Sequence, residues 1–152
     1  SLLFPLRYGN LIITTRKDDR SAMQILRASE DYLESMLMMQ KEHGYIRSID
    51  VATHLGVTKP SVSYATKRLR ENGYIEMDKE GLITLTDQGM EIAAKMLERH
   101  TTLTKFLIAL GIDPETAEAD ACKMEHDISQ KTFDAICAHA QKNFSQLKPA
   151  DK

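Results

Sequence analysis

Residues 46–76 read IRSIDVATHLGVTKPSVSYATKRLRENGYIE. Ser48 is placed to cap a short helix that runs through Leu55, and Gly56 ends that helix and allows a tight turn. Thr58 then caps a second helix, with Pro60 tolerated in its first turn. This helix continues to about Arg70 and stops at Asn72-Gly73, with Val62, Ala65, Thr66 and Leu69 on its inner face. Two short helices joined by a Gly-containing turn make a helix-turn-helix. Immediately afterwards, GYIEMDKEGLITLTDQG offers two alternating runs, YIEM and LITLT, around a DKEG turn. A β-hairpin directly after a helix-turn-helix makes a winged helix. The fold class read from this stretch is therefore mainly α, beginning with an N-terminal winged helix-turn-helix.

Upstream, MQILRASEDYLESMLMMQKEH reads as an amphipathic helix. Ile25, Leu26, Leu33, Met36 or Leu37, and Met39 or Gln40 follow its apolar stripe, and Gly44 ends it. RKDDRS before it reads as a polar break. The N-terminal SLLFPLRYGNLIITT is apolar, but Pro5, Arg7, Gly9 and Asn10 interrupt it too often for a signal peptide. Met23 is a candidate natural start, which would make residues 1–22 an extension. Downstream, Thr86 caps a long helix ended by Gly111. Asp113-Pro114-Glu115 opens another helix, and Ser129 caps a last one through about Asn143. The tail from residue 145 to 152 is polar.

The bulk numbers exclude several classes. The chain has 152 residues, 42% hydrophobic and 28% charged, an ordinary globular composition. A net charge of -2 excludes a wholly basic nucleic-acid binder and leaves room for a local basic patch. Two cysteines, Cys122 and Cys137, make no disulfide framework and fit a reducing, cytoplasmic setting. No apolar run reaches membrane-spanning length, so no membrane partner is expected.

The second helix of the motif would place its N-terminal residues at base edges in the major groove of double-stranded DNA. Those residues are Thr58, Lys59, Pro60, Ser61, Ser63 and Tyr64. Lys67, Arg68 and Arg70, with Lys79 at the wing tip, would supply phosphate contacts. The competing reading is a solvated charged face in a winged helix that binds protein.

A second stretch, CKMEHD at 122–127, places Cys122, Glu125 and His126 at i, i+3 and i+4. On a helix these share one face, and all three side chains bind transition metals. The competing reading is a polar helix edge with one buried Cys. An EH pair near a carboxylate can also activate water on an open metal site. However, the chain has no HExxH, no nucleophile motif and no Gly-rich phosphate loop, and a hydrolase leaves the winged helix unexplained. No enzymatic activity is expected.

In order and spacing, these parts resemble the diphtheria toxin repressor family of metal-dependent regulators, closest to its short manganese-responsive (MntR-like) branch. The resemblance covers about residues 23–144. It rests on SEDYLE, TKPSVSYATKRL, GLITLTDQG, ERHTTLTKFLIALGI and ADACKMEHDIS. It implies a winged helix over 23–86, then an all-helical metal-binding and dimerisation domain over 87–144, with no SH3-like domain. It implies a metal site of Asp31, Glu34, His100, Cys122, Glu125 and His126, while His43, His54 and His139 stay outside it. It also implies a homodimer on a palindromic operator that represses metal-uptake genes when Mn²⁺ or Fe²⁺ binds.

The sequence departs from the family pattern in three places. Manganese-responsive members carry a metal-bridging Glu where this chain has Cys122, and iron-responsive members carry Met where it has Asp31. The site is thus a hybrid, with a hard oxygen ligand beside a soft thiol that brings Zn²⁺ and Co²⁺ into range. Thr104 stands where many members carry a Glu serving an ancillary site. A rival reading is a winged-helix regulator that senses a small ligand or an oxidant through Cys122.

Overall fold

The computed structural model describes residues 19–143, with side chains from Leu26 onward. The expected tail at 145–152 and most of the expected extension, residues 1–18, lie outside the described residues. The first helix, α1, spans Asp19–His43 and begins inside the RKDDRS segment expected to be a break. That segment is polar but contains neither Gly nor Pro, so nothing in it stops a helix. At 1.5 Å per residue α1 is about 37 Å long, enough to run past two separate packing partners.

After α1 come β1 (Ile46–Arg47), α2 (Ser48–Leu55), α3 (Lys59–Glu71), β2 (Ile75–Met77) and β3 (Leu82–Leu85). The helix-turn-helix and its wing are where the sequence places them. Thr58 caps α3 by accepting from the Ser61 N–H, and Val62, Thr66 and Leu69 are buried against the head. Two details differ from expectation. Ser48 is the first helical residue of α2 rather than its cap, and Arg47 at the cap position offers no side-chain bond. The reason is β1, a strand the sequence reading did not anticipate. Ile46 and Arg47 pair antiparallel with Ile83 and Leu82, making a three-stranded sheet ordered β1-β3-β2. A two-residue strand is too short to display alternation. The wing turn is closed by Asp78, whose Oδ1 accepts from the N–H groups of Glu80 and Leu82. Gly81 takes the positive φ of 81° that this turn needs.

Three helices follow: α4 (Asp87–Ala109), α5 (Pro114–Asp127) and α6 (Gln130–Asn143). Thr86, Asp113 and Ser129 cap them through side-chain oxygens, as the sequence predicts. Two apolar clusters result. The larger joins Leu33, Met36, Leu37 and Met39 of α1 to the helix-turn-helix, the sheet and Ala93 of α4. The smaller joins Leu103 of α4, Ala121 of α5 and Phe133 of α6. Helix α4 therefore belongs to both clusters, and α1 packs along it as well as on α2 and α3. The middle of α1, from Arg27 to Asp31, reaches α5, while its C-terminal half is the spine of the winged helix.

Candidate metal centre and DNA-reading surface

The six expected ligands come from three helices. Asp31 and Glu34 stand one turn apart on α1, His100 is on α4, and Cys122, Glu125 and His126 share a face of α5. The structure brings all six together in two overlapping sets. Ligand atoms of Asp31, Glu34, Glu125 and His126 lie within 4.8 Å of one another, as do those of His100, Cys122 and Glu125. The shared residue is Glu125, which is 1% exposed. Its Oε2 lies 2.9 Å from Nδ1 of His100, and its Oε1 lies 3.2 Å from Nε2 of His126. Sγ of Cys122 is 3.5 Å from Nδ1 of His100. The sequence raised the bridging question at residue 122; in the fold, the residue between the two sets is Glu125.

The charges of this cluster do not balance. Burial, then the hydrogen bond and charge of Glu125, push Glu34 up to about 8. Burial also pushes Glu125 up, but its close contacts with His100, His126 and Glu34 outweigh it and hold its carboxyl down at about 2. The two neighbouring carboxyls are thus pushed in opposite directions, Glu34 up and Glu125 down. Burial lowers His126, yet the carboxylates of Asp31, Glu125 and Glu30 crowded around its ring outweigh it and raise the imidazole to about 11. His100 is raised, first by its hydrogen bond to Glu125. Burial and the surrounding carboxylates push the Cys122 thiol up to about 11. The metal-free cluster therefore holds protons where positive charge is wanted.

One atom tests whether a divalent ion suits this cluster. Nε2 of His126 is buried and makes no directed hydrogen bond. Yet Asp31 Oδ1 lies 2.7 Å away and Glu125 Oε1 3.2 Å away. The two observations agree if the oxygens lie off the ring N–H axis, crowded near the nitrogen without accepting from it. A nitrogen lone pair converging with carboxylate oxygens is a transition-metal donor set, and the residues fit. Cys122 can add a soft ligand. Its raised pKa gives no support to oxidant sensing, which needs a thiolate.

Two residues at this centre escaped the sequence reading. Glu30 is buried, with Oε2 3.3 Å from Nδ1 of His126. Arg99 is buried and donates from Nη1 to the carbonyls of Glu125 and Ile128 at 2.9 Å, and from Nη2 to Gln130 at 3.0 Å. It grips the carbonyl end of α5, where a cation is favoured. Both had a signal. Glu30 falls one turn before Leu33 and two before Leu37, and Arg99 falls between Met96 and Leu103, so each lies on an apolar stripe. A charged residue on such a stripe is buried with a partner or the stripe is broken.

In the winged helix, the expected DNA-facing residues lie on the exposed side of α3. Lys59, Pro60, Ser61, Ser63, Tyr64, Lys67, Arg68 and Arg70 are all exposed, and so is Lys79 at the wing turn. Tyr64 is 63% exposed. Arg68 donates to its hydroxyl at 2.9 Å and stacks over its ring. The Thr58 hydroxyl is engaged with Ser61, as cap acceptor and as donor at 2.9 Å to its Oγ. Thr58 therefore builds the start of α3, while Ser63, Tyr64 and the basic residues are exposed on its surface, Arg68 against Tyr64 and Lys67 4.0 Å from Glu71.

The same two halves match known families. Residues 24–82 match the N-terminal DNA-binding domain of iron-dependent repressors, and residues 86–143 match the metal-binding and dimerisation domain of the same repressors. The chain belongs to the iron-dependent repressor family. Among its relatives is the transcriptional regulator MntR of Salmonella typhimurium, 40% identical over 114 residues, covering 75% of this chain and 73% of that one. The regulator MntR of Bacillus subtilis is 34% identical over 107 residues, covering 70% and 75%. In three dimensions the family likeness extends to a manganese-dependent transcriptional repressor solved with manganese. Its TM-score is 0.69 at 28% identity, covering 74% of this chain and 52% of that one. The metal-dependent regulator MtsR matches at TM-score 0.68 and 27% identity, covering 74% and 53%. This chain spans about half the length of those solved family members.

Proposed function

We propose that this chain is a metal-activated DNA-binding repressor of metal-uptake genes, acting as a cytoplasmic homodimer without enzymatic activity. The observation that carries this reading is Glu125, which joins residues of α1, α4 and α5 into one cluster. Asp31, Glu34, Glu125 and His126 would hold one divalent ion, and His100, Cys122 and Glu125 a second. The ion supplies the positive charge that the crowded carboxylates lack. Asp31 and Glu34 lie on the helix whose next turns, Leu33–Met39, form the core of the winged helix. When those side chains converge with α5, the reading head is fixed against the helical domain. The population of that arrangement rises with the metal that it binds best.

The helical domain also supports pairing. Ile108, Leu110 and Ile112 are exposed around the end of α4. A twofold dimer that covers them would present two α3 helices to a palindromic operator. Carboxylates favour Mn²⁺ or Fe²⁺ as the activating ion, and Cys122 extends the range to Zn²⁺ and Co²⁺. Among the described residues no helix is long and apolar enough to cross a membrane. An anaerobic calorimetric titration of chelator-treated protein with Mn²⁺, Fe²⁺ and Zn²⁺ tests the reading. Two ions per chain, or one, is the expected result; no binding by any of the three overturns it.

A further inference from the structure

We propose that Glu30 is a positioning residue of the metal centre, whose carboxylate holds the Nδ1 side of the His126 ring so that Nε2 is the nitrogen that gives up its proton and turns its lone pair to the ion. The proposal rests on the metal reading above. Glu30 immediately precedes Asp31, but neighbours on a helix diverge by about 100°. Asp31 faces Nε2 of His126 at 2.7 Å, while Glu30 faces Nδ1, on the other side of the ring, at 3.3 Å. Glu30 is 6% exposed, which is uncommon for a glutamate without a partner. Its carboxylate is not among the converging donors of either set.

The two ring nitrogens of His126 thus have different tasks. To ligate an ion the imidazole must give up one proton, and the one that remains can sit on either nitrogen. Asp31 and Glu125 both press oxygens toward Nε2, and by themselves they would draw that proton there and block the nitrogen as a ligand. Glu30 competes from the far side, where Nδ1–H donates to it in a charge-assisted bond. A carboxylate behind a ligating histidine fixes the tautomer and orients the ring. One turn earlier, Arg27 donates to Asp127 at 3.2 Å and to the carbonyl of Lys123 at 3.4 Å, which keeps α1 and α5 in register beside this contact.

The test compares Glu30→Ala and Glu30→Gln with the parent chain. It uses calorimetric titration with Zn²⁺ and Mn²⁺, and ¹⁵N NMR of the His126 ring in the diamagnetic Zn²⁺-loaded protein. The alanine variant is expected to lose roughly 10- to 100-fold in affinity and to lose the Nδ1–H signature. The glutamine variant, whose side-chain oxygen still accepts from Nδ1–H, is expected to recover most of the affinity and the signature. Unchanged affinity with an unchanged ring spectrum in the alanine variant overturns the proposal. Equal losses in both variants with the ring spectrum intact also overturn it, because they assign Glu30 a packing role. If the alanine variant does not fold, the glutamine variant decides alone: Nδ1–H retained supports the proposal, and a proton on Nε2 overturns it. A parent chain that binds neither ion fails earlier, and that outcome overturns the metal reading itself.

Discussion

Nδ1 of His100 lies 2.9 Å from Oε2 of Glu125, across the packed faces of α4 and α5. The other oxygen of that carboxylate reaches His126, so a single buried side chain connects both sets of donors. Arg99, the residue before His100, donates to the carbonyl of the same Glu125. Side chain and backbone of residue 125 are thus both held by α4. The carboxylate is placed before any ion arrives, which limits the ordering that binding must impose.

Replacing Glu125 or His126 by alanine should abolish metal-dependent DNA binding while the winged helix stays folded. Either change removes a donor common to the α1–α5 junction, and neither side chain belongs to the larger apolar cluster. A gel shift checks this, with a duplex selected from a random pool by the parent protein and Mn²⁺. Circular dichroism monitors the fold. A variant that still responds to metal would reject the site assignment.

The sequence made the winged helix legible because each of its signals was local. Thr58 with Pro60, the Gly56 turn and the DKEG turn each declare an element within a few residues. That these six side chains would converge was expected from family motifs, since spacing alone could join Cys122 to Glu125 and His126 but not to α1 or α4. What stayed hidden depends on partners remote in sequence. Ile46 becomes a strand because Ile83 lies beside it. Glu30 matters because His126 arrives 96 residues later. The position of Glu125 between the two sets follows from α1 and α5 both packing on α4, which no periodicity encodes.

Gly89→Ala should destabilise the protein by roughly 1–3 kcal/mol, although Gly→Ala inside a helix normally stabilises by about 1 kcal/mol. Gly89 is in the first turn of α4, and a Cβ there would overlap the backbone carbonyl of Tyr74. That carbonyl cannot easily retreat, because it accepts from the Thr86 N–H at 3.1 Å while the Thr86 hydroxyl donates to the Gly73 carbonyl at 2.7 Å. Thermal unfolding of the metal-free chain measures the sign. A higher melting temperature would show that the corner between wing and α4 is looser than this geometry.

Arg70→Ala and Lys79→Ala should each weaken binding to all duplexes alike. Each should reduce the slope of log affinity against log salt by about 1. Both side chains are exposed, Arg70 in the last turn of α3 and Lys79 in the wing turn. Ser63→Ala should leave the slope intact and alter the preferred sequence, since its hydroxyl stands near the start of α3. Fluorescence anisotropy over a salt series separates the two behaviours. An unchanged slope for both basic variants would remove this face from the DNA contact.

Cys122→Glu should favour Mn²⁺ over Zn²⁺ relative to the parent chain, by roughly tenfold or about 1.4 kcal/mol. Cys122 stands beside His100 and Glu125, where a thiolate selects softer ions and a carboxylate harder ones. In the metal-free protein its thiol is held near 11 by burial and neighbouring carboxylates. A metal that takes it as ligand must displace that proton, which Zn²⁺ and Co²⁺ do more readily than Mn²⁺. Glutamate would bring a second hard oxygen donor to the set that includes His100, so the Mn²⁺ stoichiometry should also hold at two per chain or rise to it. Competition titrations with a chelating dye give both readings. An unchanged ranking of the metals would mean that residue 122 does not reach the ion. Selectivity would then belong to Asp31, Glu34, Glu125 and His126 alone.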